Sequence, residues 1–248
     1  MSTKKITSSV RFKIISILAL CTIFLSIFIY YISIKVFEKS YSSIEQDQAI
    51  KNTERVIDTI DNNLTQLNIR IIDWEWWDDT YKFIKDGNKS YIESNLGVNS
   101  IANIKINTIA FVDKNHKIIF SKSLNYNTKV ETSSENIDNH IRSHEILSVN
   151  TDEKASKSGI IMLPEGPMLV TTSSILTSDI KGPVLGTLIF GKLLDNNLIR
   201  EISKLTHLSV SIYDYNDKNL PEDVLKARNT SKVDNKYITI PVSNDIIA

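Results

Sequence analysis

Between residues 14 and 34 the chain carries no charge, and Ile, Leu, Phe and Tyr dominate. At 1.5 Å per residue such a run reaches roughly 30 Å as a helix, the thickness of a bilayer core. Tyr30 and Tyr31 near its far end suit an interfacial belt, and Lys35 closes it. A cleaved signal peptide would show a shorter apolar region and a small-residue cleavage site. Ser26, Ser33 and their neighbours make a poor one, so the run reads as an uncleaved signal anchor. Residues 1–13 hold Lys4, Lys5, Arg11 and Lys13 without an acid, against a far flank of Lys35, Glu38 and Lys39. That asymmetry places the N-terminus in the cytoplasm and the remaining residues outside.

Past the anchor the period changes from continuous to helical. Ile50, Thr53, Ile57, Ile60, Leu64, Leu67, Ile71 and Trp74 fall on alternating steps of three and four, an a/d-type seam. All seven glycines and all five prolines lie at or beyond Gly87, so nothing in the first 86 residues marks a break. The pattern predicts one long helix over residues 35–87, stopped by Asp86-Gly87-Asn88. The seam can pack on a second subunit or on the sheet of its own domain, and periodicity does not choose between them. A homodimer through this helix is one expectation.

Beyond Gly87 a short helix is expected over 90–97. Alternation then predicts a strand at 106–113, a turn at Lys114-Asn115-His116 and a return strand at 117–123. Residues 125–133 read as loop and 134–148 as a helix with Ile137, Ile141, Ile146 and Leu147 on its apolar side. A second hairpin is predicted at 159–163 and 167–175 across Pro164-Glu165-Gly166, followed by a strand at 184–193. Asp195 can cap a helix over 196–205, and 208–213 reads as a further strand. The tail from 214 is polar, with one late strand at 237–242 and an apolar end, Ile246-Ile247-Ala248, that suggests an incomplete extension. Strand pair, helix, then consecutive strands is the order of an α+β unit with an antiparallel sheet and its helices on one face.

Composition narrows the function. Lysine plus arginine equal aspartate plus glutamate at 29 each, with pI near 6.9, and no basic surplus marks a nucleic-acid binder. The single cysteine, Cys21, lies in the apolar run and excludes an intrachain disulfide or a cysteine-based cluster. No nucleophile elbow, zinc-protease motif or nucleotide fingerprint is present, so no catalytic constellation emerges and no cofactor is expected. Gly182, Gly186 and Gly191 lack phosphate-loop spacing and are expected to serve a turn, a bulge or close backbone approach.

The densest chemistry is Asp73-Trp74-Glu75-Trp76-Trp77-Asp78-Asp79-Thr80-Tyr81, which holds all three tryptophans among four carboxylates. A buried aromatic side chain of this size removes roughly 150–250 Å² from water, and a carboxylate buried beside it must be paired or used. Two readings stand. Asp78 and Asp79 can meet a cation or amine against an aromatic wall of Trp77 and Tyr81. Alternatively, Trp77 and Tyr81 are core and one aspartate bonds the backbone or side-chain donors of a neighbouring loop.

Asp73-x3-Trp77-Asp78-Asp79-Thr80-Tyr81-x-Phe83 resembles the signature of the fourth class of CHASE domains. These are extracytoplasmic sensor modules of prokaryotic histidine kinases and cyclic-dinucleotide enzymes. Gly166-Pro167-x-Leu169-Val170, Ile175-Leu176-x-Ser178-Asp179 and Gly182-Pro183-x2-Gly186-Thr187-Leu188, then Gly191 and Leu194-Asp195, follow in similar register. The resemblance covers roughly residues 70–213. It implies a PAS/Cache-like sensor domain, a membrane partner and an unknown small-molecule ligand, in a receptor of the sensor histidine kinase or diguanylate cyclase type. Two departures are visible. The residues up to Ala248 include neither the second membrane helix nor the kinase or cyclase that usually follows such a domain, and an aromatic pair precedes Trp77 where small residues are commoner. An anchored surface protein that binds a partner or polymer without signalling is the alternative.

His140 and His144 stand four apart, a spacing that can share a metal. Without a third ligand nearby they read as a solvated helix face, and no metal is expected. Ser143-His144-Glu145-Ile146 resembles the start of a phosphoacceptor box. Leu147, Ser148 and Val149 replace the residues that should follow, so it reads as coincidence.

Overall fold

The computed structural model describes residues 10–144, 147, 156–180, 182–230, 241–243 and 246–247. The chain divides into two compact units, Met1–Lys51 with Asn229–Ala248, and Asn52–Arg228. Helix α1, Val10–Glu75, is common to both.

The first unit contains the opening part of α1 and a short antiparallel pair, β7 (Pro241–Ser243) with β8 (Ile246–Ile247). Within α1 the segment Val10–Phe37 has a mean hydropathy of 2.5 and no buried residue, and it is long and apolar enough to cross a membrane. The predicted strand at 237–242 falls mostly outside the described residues; its end coincides with β7.

The second unit is a six-stranded antiparallel sheet with helices on both faces. Its strands are β1 (Thr108–Asp113), β2 (Ile118–Asn125), β3 (Val130–Thr132), β4 (Ser156–Leu163), β5 (Gly166–Ser174) and β6 (Gly186–Leu193). Their spatial order is β3-β2-β1-β6-β5-β4, so β1 and β6 lie at the centre. Both central strands are buried along almost their whole length, because side chains of both faces meet helices. On one face Ile109, Phe111, Leu169, Leu188 and Phe190 form the main core with Leu67 and Ile71 of α1. Helices α2 (Asp78–Asp86), α3 (Lys89–Asn95), α4 (Val98–Asn103) and α6 (Asn196–Thr206) contribute to that layer through Phe83, Tyr91, Ile101 and Ile202.

The second face is covered by α5 (Glu135–Ser143), whose Ile137 and Ile141 pack on Ala110, Val112, Val170 and Ile189. This helix lies between the strands of opposite edges, β3 and β4, so the chain carries it across the sheet. The expectation of helices on one face alone therefore fails. Residues 145, 146 and 148 of the predicted 134–148 helix lie outside the described residues.

From Val56 onward the α1 seam resolves in favour of its own sheet. Leu67 and Ile71 are fully buried there, with Val56, Ile60, Leu64 and Trp74 packed against the same core. The predicted single helix over 35–87 does not hold, because α1 ends at Glu75 and α2 begins at Asp78. Trp77 between them is extended, at φ −106° and ψ 126°. Backbone groups on both sides of the corner are satisfied without a glycine or proline. The Leu176 N–H donates to the Glu75 carbonyl at 3.2 Å, and Tyr81 N–H to the Trp77 carbonyl at 2.8 Å. The predicted stop at Gly87 is correct for α2: Gly87 sits at φ 59° and its N–H bonds the Phe83 carbonyl.

Residues 208–213 do not form the expected strand. His207 adopts φ 57° and ends α6, Leu208 N–H turns back to the Ser203 carbonyl, and Val210 N–H reaches Ser203 Oγ. Val210 and Ile212 still lay their side chains on the core, which explains the alternation without a ladder. The polar tail also holds a helix that the pattern did not announce, α7 (Glu222–Thr230), and the loop at 125–133 contains β3.

Candidate functional site

Two places on the α1 face of the sheet concentrate polar chemistry. The first is the corner between α1 and α2, where the tryptophan–aspartate box lies. Asp78 opens α2, and its Oδ1 accepts the Ser178 N–H at 3.0 Å from the β5–β6 connection. That bond, followed by a side-chain bond from Ser178, holds the Asp78 carboxyl below its ordinary value. Tyr81, one turn along, donates its hydroxyl to the Pro183 carbonyl at 3.2 Å, and the Lys85 ammonium stands 4.7 Å above its ring. Gly182 turns at φ 95° beneath that hydroxyl, and a Cβ there would lie 3.1 Å from the Tyr81 oxygen. Gly186, further along, passes so close to the Val112 carbonyl that a Cβ would overlap it, the close approach expected of these glycines.

The rest of the box points elsewhere. Phe83 is fully buried, stacked on Tyr91 at 4.5 Å and edge-on to Phe111 at 5.0 Å. Thr80 is buried with its Oγ1 2.6 Å from the Tyr91 hydroxyl, whose own pKa burial pushes up to about 12. Asp73 and Asp79 are exposed, and Asp79 makes a solvent-facing pair with Lys82 at 3.5 Å, of little energetic weight. Trp77 is 45 % exposed and is not the core residue expected of the structural reading, whereas half-buried Tyr81 packs against the edge of the main core. Among the tryptophans the ring that packs against this core is Trp74, edge-on to Phe190 at 6.1 Å and 6.2 Å from Trp77. The seven residues thus separate into a loop contact (Asp78, Tyr81), a core contact (Thr80, Phe83) and a solvent face (Asp73, Trp77, Asp79).

Glu75 is the buried carboxylate of the segment. It is 4 % exposed, burial pushes its pKa up to about 7, and Oε2 has no hydrogen-bond partner among the described residues. The neighbouring Trp76 Nε1 is likewise buried without one.

The second place is a cavity of about 660 Å³ whose lining includes α1, β6, α6 and the β2–β3 connection. Its cations are Arg70, Lys105 and Lys192, and its one carboxylate is Glu201. Lys192 is 7 % exposed, and its Nζ donates to Asn63 Oδ1 at 2.9 Å. Burial pulls its pKa down; Glu201 opposes this most strongly, repulsion from Arg70 and then Lys105 adds to it, and Asp195 opposes it least. Arg70 is held by a bond from Nη1 to the Ile104 carbonyl at 3.0 Å. Sequence reasoning did not identify this cavity. Its one linear signal is Lys192 itself, a charge inside the apolar run Leu188–Leu194.

The histidine pair behaves as a local feature of α5. The His140 and His144 rings stack at 4.1 Å, and His144 Nδ1 lies 2.9 Å from Ser143 Oγ. His140 is half-buried rather than solvated, and burial lowers its pKa. No group of three or more His, Cys, Asp or Glu able to hold a metal occurs among the described residues.

A histidine kinase of Methanothrix harundinacea, the methanogenesis regulatory kinase FilI, is 24 % identical over 169 residues, which are 68 % of this chain. The match spans 19 % of that relative's length. Among solved structures, the extracellular domain of the candidate histidine kinase vpHK1S-Z8 aligns with a TM-score of 0.47 and 14 % identity, over 74 % of this chain and 73 % of its own. A domain of a candidate sensory box/GGDEF family protein from Vibrio parahaemolyticus gives 0.46 and 14 %, over 77 % and 78 %. The CHASE4 domain model matches residues 59–213, from the α1 seam to the end of the segment after α6, and the chain therefore belongs to the CHASE4 sensor-domain family.

Proposed function

We propose that this chain is the membrane-anchored, extracytoplasmic sensing part of a signal-transduction receptor of the sensor histidine kinase or diguanylate cyclase type. The observation that carries the reading is the CHASE4 match over 59–213, preceded by a helical segment apolar enough to span a bilayer. The domain acts by binding a small solute and has no catalysis of its own; the output chemistry belongs to another module. The antiparallel sheet that follows a long helix supports a PAS/Cache-like affiliation. In this reading α1 crosses the membrane with its start in the cytoplasm and pairs with a second copy along the part ahead of Val56. A ligand then biases two arrangements of the paired helices.

Within the domain the tryptophan–aspartate box is a structural clamp. Asp78 and Tyr81 tie the helix corner to the β5–β6 connection, and Phe83 and Thr80 root it in the core. Topology is tested by replacing Cys21 with serine and exposed Lys89 with cysteine, then treating intact cells with a membrane-impermeant maleimide. Labelling before lysis is the expected result. Labelling only after lysis places the domain inside the cell and removes the receptor reading.

A further inference from the structure

We propose that the cavity beneath α1 and α6 is a binding site for a small organic polycarboxylate, held by Lys192, Arg70 and Lys105. The proposal rests on the sensor reading for its biological role, though its chemistry stands on the lining alone. A volume of about 660 Å³ is within the range of small-molecule sites, roughly 300–1,000 Å³. Its charge is unbalanced: three cations face one carboxylate, Glu201. Among the described residues none of the three cations is in a salt bridge.

Lys192 carries the argument. Its position on β6 directs it to the same face as Leu188 and Phe190, and its ammonium is almost wholly removed from water. An ammonium has three donors and no acceptor, and Lys192 Nζ donates to one neutral partner, Asn63 Oδ1. A desolvated cation with so little compensation is costly, and an anion entering the cavity returns the missing interaction. Arg70 is already oriented by the Ile104 carbonyl, so its fork is pre-set for a carboxylate. Lys105 is exposed and stands at the cavity's edge.

The remaining lining selects an organic anion over a simple inorganic one. Asn63, Gln66, Asn127 and Asn197 bring amide groups, and Tyr126 a hydroxyl, all in the lining of one cavity. Amides both donate and accept, so they match the hydroxyl, amino or carbonyl groups of an organic body. Inorganic phosphate fills little of such a cavity and leaves most of these groups unused.

The test uses the full chain in detergent, with isothermal titration calorimetry and thermal melting at fixed ionic strength. The probes are citrate, succinate, inorganic phosphate and the neutral solute glucose. Citrate or succinate is expected to bind saturably and to raise the melting midpoint. Lys192→Met is expected to weaken that binding about tenfold or more, an effect of roughly 1.4 kcal/mol per decade. Lys105→Gln, at an exposed position that does not threaten folding, is expected to weaken it several-fold. The proposal is overturned if neither carboxylate binds, if phosphate binds as tightly as both, or if the two variants bind as the parent does. Glucose binding that Lys192→Met leaves unchanged also overturns it while the sensor reading survives. That reading fails only through the labelling experiment.

Discussion

The helix corner and the basic cavity lie on one face of one sheet, yet they use polar groups in opposite ways. At the corner, Glu75 and Trp76 apart, the polar groups meet partners from the fold itself: Asp78 takes the Ser178 N–H, Tyr81 gives its hydroxyl to Pro183, and Thr80 meets Tyr91. In the cavity Lys192 has a single neutral partner, and three cations face one carboxylate. The difference suggests a division of labour. Polar groups satisfied within the chain hold the helix end to the sheet, whereas groups left electrostatically unbalanced are the ones able to gain from a ligand.

Removing the core root of the corner should have the largest effect. Phe83→Ala deletes a fully buried ring in contact with Tyr91 and Phe111. A loss of about 3–5 kcal/mol is expected, read as a melting midpoint lower by roughly ten degrees for a unit of this size. A loss under about 1 kcal/mol would show that the box does not anchor the fold.

Acidity separates Glu75 from the rest of the corner. Burial raises its folded pKa to about 7 from the ordinary glutamate value of 4.5, so between those values the folded state binds more protons than the unfolded one. Stability therefore rises as pH falls from about 7 toward 4.5, and above 7 the full cost of burying the ionised carboxylate is present. The contribution is up to about 3 kcal/mol. Glu75→Gln is expected to raise the midpoint at pH 8 and to flatten this part of the pH profile. An unchanged profile would exclude Glu75 as its source.

Asp78→Asn should have the smallest effect, because the carboxylate is exposed. A slight lowering of the midpoint at neutral pH is expected from the weakened acceptor for Ser178. For the parent, this stabilisation is complete above the ordinary aspartate pKa and is lost as pH falls through the depressed folded value. Melting curves of parent and variant should therefore converge in strong acid; curves that stay apart there would deny the carboxylate its role in the Ser178 contact.

The contrast also explains what could be read from the sequence. Strands β1, β5 and β6 were legible because their alternation or apolar runs reflect burial, and the α6 start because Asp195 accepts from the Asn197 and Leu198 N–H groups. The break at Trp77 was hidden, since its backbone partner Leu176 lies about a hundred residues away and no glycine or proline marks it. Residues 208–213 alternated for a different reason: side chains of an unpaired-looking segment, Val210 and Ile212, still meet the core. The box was conspicuous because its members are adjacent. The cavity was not, because Asn63, Arg70, Lys105, Lys192 and Glu201 converge only after α1, β6 and α6 have packed.

Amide hydrogen exchange on the full chain, with and without citrate, tests the division of labour most directly. The account predicts added protection at residues 102–105, 126–127 and 192–198 around the cavity, with exchange at 78–81 and 176–180 unchanged. Protection confined to 78–81 and 176–180 would contradict it and return ligand binding to the tryptophan–aspartate corner.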